Sequence, residues 1–355
     1  MDLSILDSRT RIRSLDSQNM LSSIEILPTQ IEHAWKVASS TKVPASYRSA
    51  TSIVVSGMGG STLGAHVVQT VFGSELKRPF QIVNDYSLPG YVDRNALVVL
   101  SSYSGTTEET VACAKDALKR KAKILVLAAG GTLTELAKKH GWPLYKFDPA
   151  DNPSNQPRMA VGSSAFAMMG LLKASGQLSL ADGVVKKLAA RLRANGPRLS
   201  PDTRKNEAKH LAERGQRSML LFIGAEHHVS SAHVMNNQLN ENAKQLGTYQ
   251  ALPELNHHFL EGLSYPRVTK RDVFAILLQS DRYNARTKRR VELTAGVLGK
   301  NGIQNTILSF DGSSQLEETW LAIQFSSFMS FNIAMLHGID PSPIPNVDAF
   351  KKAMA

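Results

Sequence analysis

Residues 96–110 read ALVVLSSYSGTTEET, an apolar run that passes into serines, a glycine and threonines. The run ALVVLS is short and rich in β-branched residues, which is typical of a buried strand, and a helix is predicted from Thr107. TSIVVS at 51–56 and ILVLA at 124–128 have the same strand character, and each also precedes a stretch typical of a helix. Short apolar strands that alternate with helices predict an α/β fold, in which a parallel sheet carries helices on both faces.

A second series of the same kind occupies the later part of the chain. Apolar runs at 219–224, 273–278 and 303–308 alternate again with stretches typical of helices. The two series have a similar order of elements but no close sequence repeat. The chain has 355 residues, and a single domain usually spans roughly 100–200 residues. The sequence therefore predicts two parallel-sheet domains in tandem.

The segment between the two series is helical in composition, polar and interrupted by helix breakers. It covers residues 176–204, with Gly196–Pro197 and Ser200–Pro201 as the breakers. We place the domain boundary there, which gives an N-terminal domain over residues 1–195 and a C-terminal domain over residues 196–355.

Composition excludes several classes of protein. The single cysteine, Cys113, rules out an internal disulfide and a cysteine-based zinc site, and its apolar surroundings indicate a buried side chain. No secretory signal follows Met1, and no run of about 18 apolar residues predicts a membrane span. The expectation is a cytoplasmic protein without a membrane partner.

The formal net charge is +11, which suits nucleic acid, a membrane surface or anionic metabolites. The basic residues are scattered, however, and the densest run, Lys288–Arg290, reads as the solvated face of a helix. No aromatic RNA-binding signature or zinc-finger spacing accompanies the charge. We therefore expect no nucleic-acid partner.

The first chemically informative loop is Gly57-Met58-Gly59-Gly60-Ser61, directly after the strand at 51–56. Glycines permit unusual backbone angles and close approach of a ligand, and the N-terminus of the following helix attracts an anion. The loop lacks the lysine of a nucleotide-binding P-loop. A tight strand–helix turn without a ligand explains the same glycines.

The second loop carries four hydroxyl groups around Gly105, contributed by Ser102, Ser104, Thr106 and Thr107. Hydroxyls and backbone N–H groups bind a phosphate without a metal. A capping box of Thr106 or Thr107 with a following glutamate is the alternative, but one hydroxyl suffices for a cap.

The two loops resemble those of the SIS (sugar isomerase) domain, and nearly the whole chain resembles the bifunctional phosphoglucose/phosphomannose isomerase family. The resemblance implies two SIS domains. It also implies phosphate contacts from four hydroxyl residues and close approach of the sugar to three glycines: Ser61, Ser102, Ser104 and Thr107, and Gly57, Gly59 and Gly60. The family loop usually has asparagine where this chain has Thr106, which is a departure.

The same resemblance implies the acid–base groups. Glu241, in the segment NEN, matches the family's base for C1 and C2, and His257, in ELNH sixteen residues later, matches the residue that assists ring opening. On the bare sequence, Glu241 also reads as a solvated helix-end carboxylate and His257 as a loop histidine. His258 stands where the family commonly has asparagine.

Three further positions follow from the resemblance. Arg158, in the segment QPR, matches the cation that stabilises the enediolate, and a guanidinium keeps its charge throughout. Lys351, preferred to Lys352 by its spacing, matches a lysine that closes on the sugar. Ser342 lies near a threonine position that the family links to accepting both C2 epimers.

The expected activity is a metal-independent interconversion of fructose 6-phosphate with glucose 6-phosphate and mannose 6-phosphate through a cis-enediol, with no metal and no cofactor. In the family the histidine comes from a neighbouring subunit, which implies a homodimer with its active site at the interface. Two alternatives stay open: another SIS-type sugar-phosphate isomerase, and a non-catalytic sugar-phosphate-binding regulator. Such regulators append a helix-turn-helix domain, for which residues 1–50 are too short.

Overall fold

A computed structural model describes residues 3–354 of the chain. It forms two compact units: residues 26–193 make the first, and residues 3–25 together with residues 194–354 make the second. The observed division lies two residues before the predicted one. The structure also differs from the prediction at the N-terminus, because the first residues belong to the second unit.

The chain begins with helices α1 (Arg9–Leu15) and α2 (Met20–Glu25). Their apolar side chains are buried, with α2 packed against the long helix Gln315–His337 of the second unit. The buried Lys209 ammonium group lies 2.6 Å from the Asp7 carboxylate and holds the same segment. The sequence predicted that these helices belong to the N-terminal domain, residues 1–195. In the structure their apolar side chains are instead covered by the second unit.

The first unit contains a five-stranded sheet in the order β2-β1-β3-β4-β5, with every pair parallel. Its strands are β1 (Ser52–Gly57), β2 (Phe80–Val83), β3 (Ala96–Ser101), β4 (Lys123–Ala128) and β5 (Leu144–Lys146). Its helices are α3 (Leu27–Ser39), α4 (Leu63–Phe72), α5 (Glu108–Lys119), α6 (Gly131–His140), α7 (Val161–Ala174) and α8 (Asp182–Leu199), the last running past the division between the units.

Both faces of this sheet are covered, as predicted. Strands β1 and β3 are buried along their whole length, because α5 and α6 pack on one face and α7 contacts the sheet as well. Cys113 of α5 is buried in that core, and burial raises the pKa of its thiol. This agrees with the prediction of an inert, apolar role for the cysteine.

The second unit contains a four-stranded parallel sheet in the order β7-β6-β8-β9. Its strands are β6 (Met219–Ala225), β7 (Gly247–Leu252), β8 (Val273–Gln279) and β9 (Gln304–Ser309). Its further helices are α9 (Glu207–Gly215), α10 (His228–Gln238), α11 (Thr269–Asp272), α12 (Ala285–Lys300), α13 (Gln315–His337) and α14 (Pro345–Met354).

Helices α10 and α12 cover opposite faces of the second sheet. The crossover from β6 to β7 and the crossover from β8 to β9 run in opposite directions across the sheet, and right-handed connections then place their helices on opposite sides. Helix α13 packs beside α10 and is buried on all sides. No helix within residues 3–354 is long and apolar enough to cross a membrane.

The predicted fold class is confirmed, and all six predicted strands are present. Strands β2, β5 and β7 were not predicted, because each lies at a sheet edge and none is an apolar run. The expected break at Gly196–Pro197 is wrong. Helix α8 continues to Leu199, because Pro197, two residues before the helix end, removes only the hydrogen bond of its own missing N–H group.

Candidate active site

The loop after β1 is held tightly against the loop after β3. The Ser101 hydroxyl donates to the carbonyl oxygen of Ser61 at 2.7 Å, and the Tyr103 N–H group donates to Ser61 Oγ at 3.0 Å. A Cβ atom added to Gly57 would lie 2.5 Å from the carbonyl oxygen of Ser101, so glycine is required for this approach. The structure therefore brings the two predicted phosphate loops together.

Hydroxyl groups organise the loop after β3 from within. Ser102 is fully buried, and its Oγ lies 2.7 Å from Thr107 Oγ1 and accepts from the Gly105 N–H group at 3.1 Å. Ser104 is exposed, and its Oγ accepts from the Thr106 hydroxyl at 3.0 Å. Ser104 thus presents its hydroxyl at the surface, whereas Ser102 and its half-buried partner Thr107 set the shape of the loop.

Thr107 is the N-cap residue of α5 but makes no side-chain cap hydrogen bond. Its hydroxyl pairs with Ser102 instead, so the capping box that competed with phosphate binding in the sequence is not formed. A helix N-terminus without a side-chain cap leaves N–H groups and a positive dipole end for an anion. This arrangement suits a phosphate group.

Arg158 is placed directly beside the first loop. It lies in a 3₁₀ turn, Pro157–Met159, and is fully buried. Its guanidinium donates to Gln156 Oε1 at 2.7 Å. A Cβ atom added to Gly60 would lie 2.9 Å from the Arg158 backbone nitrogen, so the glycine allows the two segments to touch. The first unit therefore places a buried guanidinium next to the loop that is predicted to bind phosphate.

Asn152 connects the second loop to the arginine segment. Its Nδ2 donates to the Tyr103 hydroxyl at 3.2 Å and to the carbonyl oxygen of Gln156 at 2.9 Å. Burial raises the pKa of Tyr103, so its hydroxyl stays protonated. This link through Tyr103 and Asn152 was not predicted from the sequence. The only signal was the asparagine- and proline-rich run at 152–157, NPSNQP.

In the second unit, Glu241 lies in a π-helical turn, Leu239–Ala243, that ends α10. The flanking asparagines anchor the turn: Asn240 Nδ2 donates to the carbonyl oxygens of Asn236 and Gly247 at 2.9 and 3.3 Å. Asn242 Nδ2 donates to Ser330 Oγ on α13 at 3.1 Å. The segment NEN thus fixes the backbone on both sides of a half-buried glutamate.

The segment around Ser342 is attached to the same turn. Lys244, in the left-handed region with φ of 51°, donates from Nζ to the carbonyl oxygens of Asp340 and Pro341 at 3.1 and 2.8 Å. Ser342 is fully buried, and its N–H group donates to Asp340 Oδ1 at 2.9 Å. The structure therefore brings Glu241 and the 340–342 segment together.

His257 lies in a 3₁₀ turn, Glu254–His257, that follows β7, and its side chain is exposed. The preceding Asn256 donates to Thr294 Oγ1 at 2.8 Å and accepts from Arg290 at 3.0 Å, so α12 carries this turn. His258 is also exposed, with Nε2 at 3.8 Å from Glu254. The histidine segment therefore rests on α12, whereas the Glu241 turn rests on α13.

The turns that carry Glu241 and His257 lie on different sides of the second sheet. The Glu241 turn precedes β7 on the face of α10 and α13, and the His257 turn follows β7 on the face of α12. Strand β7 alone spans about 17 Å at a rise of about 3.4 Å per residue. The fold of one chain separates these two predicted groups.

Lys351 and Lys352 lie on α14, and both side chains are exposed. None of the residues of α14 whose burial the structure describes is buried, and Phe350 is also exposed. The helix thus presents Lys351 to solvent, and the choice between the two lysines stays a prediction.

Comparison with known proteins agrees with this architecture. The family model for the SIS domain matches residues 46–140, and the model for the bacterial phospho-glucose isomerase C-terminal SIS domain matches residues 204–354. These matches fall on the two sheets. They correspond to the loop pair in the first unit and to the Glu241 and His257 segments in the second.

Curated relatives match nearly end to end. The bifunctional phosphoglucose/phosphomannose isomerase of Caldicellulosiruptor bescii is 29% identical over 95% of this chain and 99% of its own length. That of Aquifex aeolicus is 28% identical over 85% of this chain and 90% of its own. The crystal structure of a hypothetical protein from Thermus thermophilus has the same fold, with a TM-score of 0.74 and 17% identity. The match covers 99% of this chain and 93% of that protein. Over most of its length the chain is thus similar to bifunctional phosphoglucose/phosphomannose isomerases, and each of its two sheets lies in a segment that matches an SIS-domain model.

Proposed function

We propose that this protein interconverts fructose 6-phosphate with glucose 6-phosphate and mannose 6-phosphate through a cis-enediol. The proposal needs no metal and no cofactor, because a carboxylate moves the proton and a guanidinium offsets the charge. The similarity to bifunctional phosphoglucose/phosphomannose isomerases over most of the chain supports the reaction. The small-molecule partner is a sugar phosphate, and the net charge of +11 favours such an anion. A cytoplasmic location, without a nucleic-acid partner, accompanies the proposal.

The observation that carries the proposal is the composition of the anion site in the first unit. Ser104 and Thr107 present hydroxyls beside the N-terminus of α5, which has no side-chain cap. The fully buried Arg158 stands against Gly60 of the adjoining loop. A phosphate on the loops would leave the sugar extending from the loops, and a buried guanidinium stabilises developing negative charge strongly.

We assign one residue to each step of the proposed reaction. His257 moves the proton that opens the hemiketal ring. Glu241 takes a proton from C1 of the open ketose and returns it to C2, while the proton on O1 passes to O2. Arg158 offsets the charge of the enediolate, and Lys351 contacts the sugar hydroxyls. Return of the proton to either face of C2 yields the two aldose epimers.

We propose that the working active site contains two copies of the chain. Within one chain, the turns of Glu241 and His257 rest on helices on opposite sides of the second sheet. We therefore infer that the two side chains of one chain do not contact the same sugar. A homodimer removes the conflict when His257 of one copy meets Glu241 of the other. The exposure of His257 fits a residue that acts on a neighbouring subunit.

Complementation between two inactive variants tests this arrangement. We expect Glu241→Gln and His257→Gln to be inactive separately and to regain about a quarter of wild-type kcat when coexpressed in equal amounts. Random pairing makes half of the dimers mixed, and one of the two sites in each mixed dimer is intact. The measurement is a coupled assay for glucose 6-phosphate on the purified mixture.

The matched control pairs Glu241→Gln with the double variant Glu241→Gln/His257→Gln, which cannot assemble an intact site. If the first mixture is no more active than the control, both groups act within one chain and the proposed dimeric site is wrong. Full conversion by a protein that sediments as a monomer would lead to the same conclusion.

A further inference from the structure

The second unit has a polar cluster at the position that holds the phosphate loops in the first unit. The order β7-β6-β8-β9 repeats the order β2-β1-β3-β4, so the loops after β6 and β8 correspond to those after β1 and β3. The carboxyl ends of strands where the order reverses are the usual ligand position of such sheets. The side chains there are His227 and His228 after β6 and Ser280 and Arg282 after β8.

These loops converge on Glu318 of α13. Its Oε2 atom lies 2.9 Å from His227 Nε2 and 3.9 Å from His228 Nε2. The two histidines and the glutamate are all buried, and one donor atom from each lies within 4.8 Å of the others. Three metal-ligating side chains from two separate elements therefore meet at one buried point.

The charges at this point disfavour an anion. Glu318 is a buried carboxylate, and Glu226 is near enough that its charge acts on His227. Arg282 is the one cation that contacts Glu318 among the described residues, through Nε at 3.2 Å from Oε1. Two carboxylates and one guanidinium give the cluster a net negative charge, which a bound cation would neutralise.

His228 supplies an independent sign of a missing ligand. Its Nδ1 atom lies 3.0 Å from Ser231 Oγ, which fixes the ring. Its Nε2 atom points toward Glu318 but finds no hydrogen-bond partner within residues 3–354, although the side chain is fully buried. Buried polar atoms are nearly always satisfied. When Nδ1 donates to Ser231, Nε2 presents a lone pair to the carboxylate across 3.9 Å, and a cation between the two atoms would satisfy both.

We propose that His227 Nε2, His228 Nε2 and Glu318 Oε2 bind a divalent transition-metal cation of the zinc type. Tetrahedral zinc holds its ligands at about 2.0–2.2 Å, which separates the ligand atoms by about 3.4 Å. The observed 2.9 and 3.9 Å lie on either side of that value. Two imidazoles and one carboxylate are a ligand set that zinc prefers.

The surrounding groups orient the carboxylate as outer partners of metal ligands do. The Ser280 hydroxyl donates to Glu318 Oε2 at 2.5 Å, and Arg282 holds the other oxygen. The metal joins the loop after β6 to α13, so its role is to stabilise the second unit, and it takes no part in the proposed isomerisation.

Cobalt binding tests the site, because tetrahedral Co²⁺ absorbs strongly in the visible range. After dialysis against EDTA, the full chain is titrated with Co²⁺ and then with Zn²⁺. We expect one Co²⁺ per chain with tetrahedral absorption, displaced by Zn²⁺, and a higher melting temperature with Zn²⁺. His228→Gln should weaken binding at least about 10-fold, whereas His210→Gln, on the exposed face of α9, should bind as wild type.

Two results would overturn the proposal. The cluster is a hydrogen-bonded network only if no stoichiometric Co²⁺ binds, or if His228→Gln binds it as tightly as His210→Gln. Should His228→Gln fail to fold, X-ray absorption of the zinc-loaded wild-type protein decides the question. Two imidazole nitrogens and an oxygen are expected around zinc, and a shell of oxygens alone would reject the site.

Discussion

Replacement of Glu241 by glutamine is expected to lower kcat for fructose 6-phosphate about 100-fold or more and to leave KM within a few-fold of wild type. Glutamine keeps the size of the side chain but cannot accept the C1 proton. The turn should keep its shape, because Asn240, Asn242 and Lys244 fix it through backbone and hydroxyl groups that the substitution does not touch. The measurement is steady-state kinetics with both aldose products assayed.

Glu292→Gln is the matched control, since Glu292 is an exposed glutamate of the same unit whose carboxylate contacts Arg289. It should keep wild-type kcat. Turnover by Glu241→Gln above about a tenth of wild type would remove Glu241 from the role of base, because a positioned base contributes about 100-fold or more.

The second large effect is expected at Gly105, within the hydroxyl-rich loop. Gly105 has φ of 74°, and a Cβ atom there would lie 1.8 Å from the carbonyl oxygen of Gly130. Gly105→Ala must therefore displace the loop that carries Ser104 and Thr107. We expect kcat/KM to fall about 10- to 100-fold, since small misplacements of binding groups cost that much. The free energy of unfolding should fall by about 2–4 kcal/mol.

Gly141→Ala is the control that distinguishes backbone strain at a left-handed φ from a steric clash of the added Cβ atom. Gly141 also has a left-handed φ, 68°, but its Cβ position has nothing within 4 Å. This variant should lose about 1 kcal/mol of stability and keep wild-type kcat/KM. Equal kcat/KM for the two variants would show that the loop after β3 does not hold the substrate.

The central strands were predictable because burial on both faces leaves a continuous apolar run, as in β3 and β6. Edge strand β7 has half-exposed residues and no such run, so its sequence resembles a loop. The N-terminal helices were misassigned for a different reason. Their apolar side chains, such as Ile12 and Met20, have to be covered, but sequence adjacency does not say by which unit.

The candidate site was predictable where several special residues are adjacent in sequence. The glycines of the first loop and the hydroxyls around Gly105 are contiguous, so their shared role was visible. The link from Tyr103 to Asn152 joins residues 49 positions apart and left no local pattern. The cluster of His227, His228 and Glu318 was hidden similarly, since the glutamate lies about 90 residues downstream in the first turn of α13.

Proton exchange during turnover tests the proposed function most directly. The protein is incubated with fructose 6-phosphate in D₂O, and the products are followed by NMR. Glucose 6-phosphate and mannose 6-phosphate are both expected to form, with deuterium at C2 in part of each, because Glu241 exchanges its proton with solvent before returning it. Absence of both aldoses, or products that carry no deuterium at C2, would contradict proton transfer through an enediol.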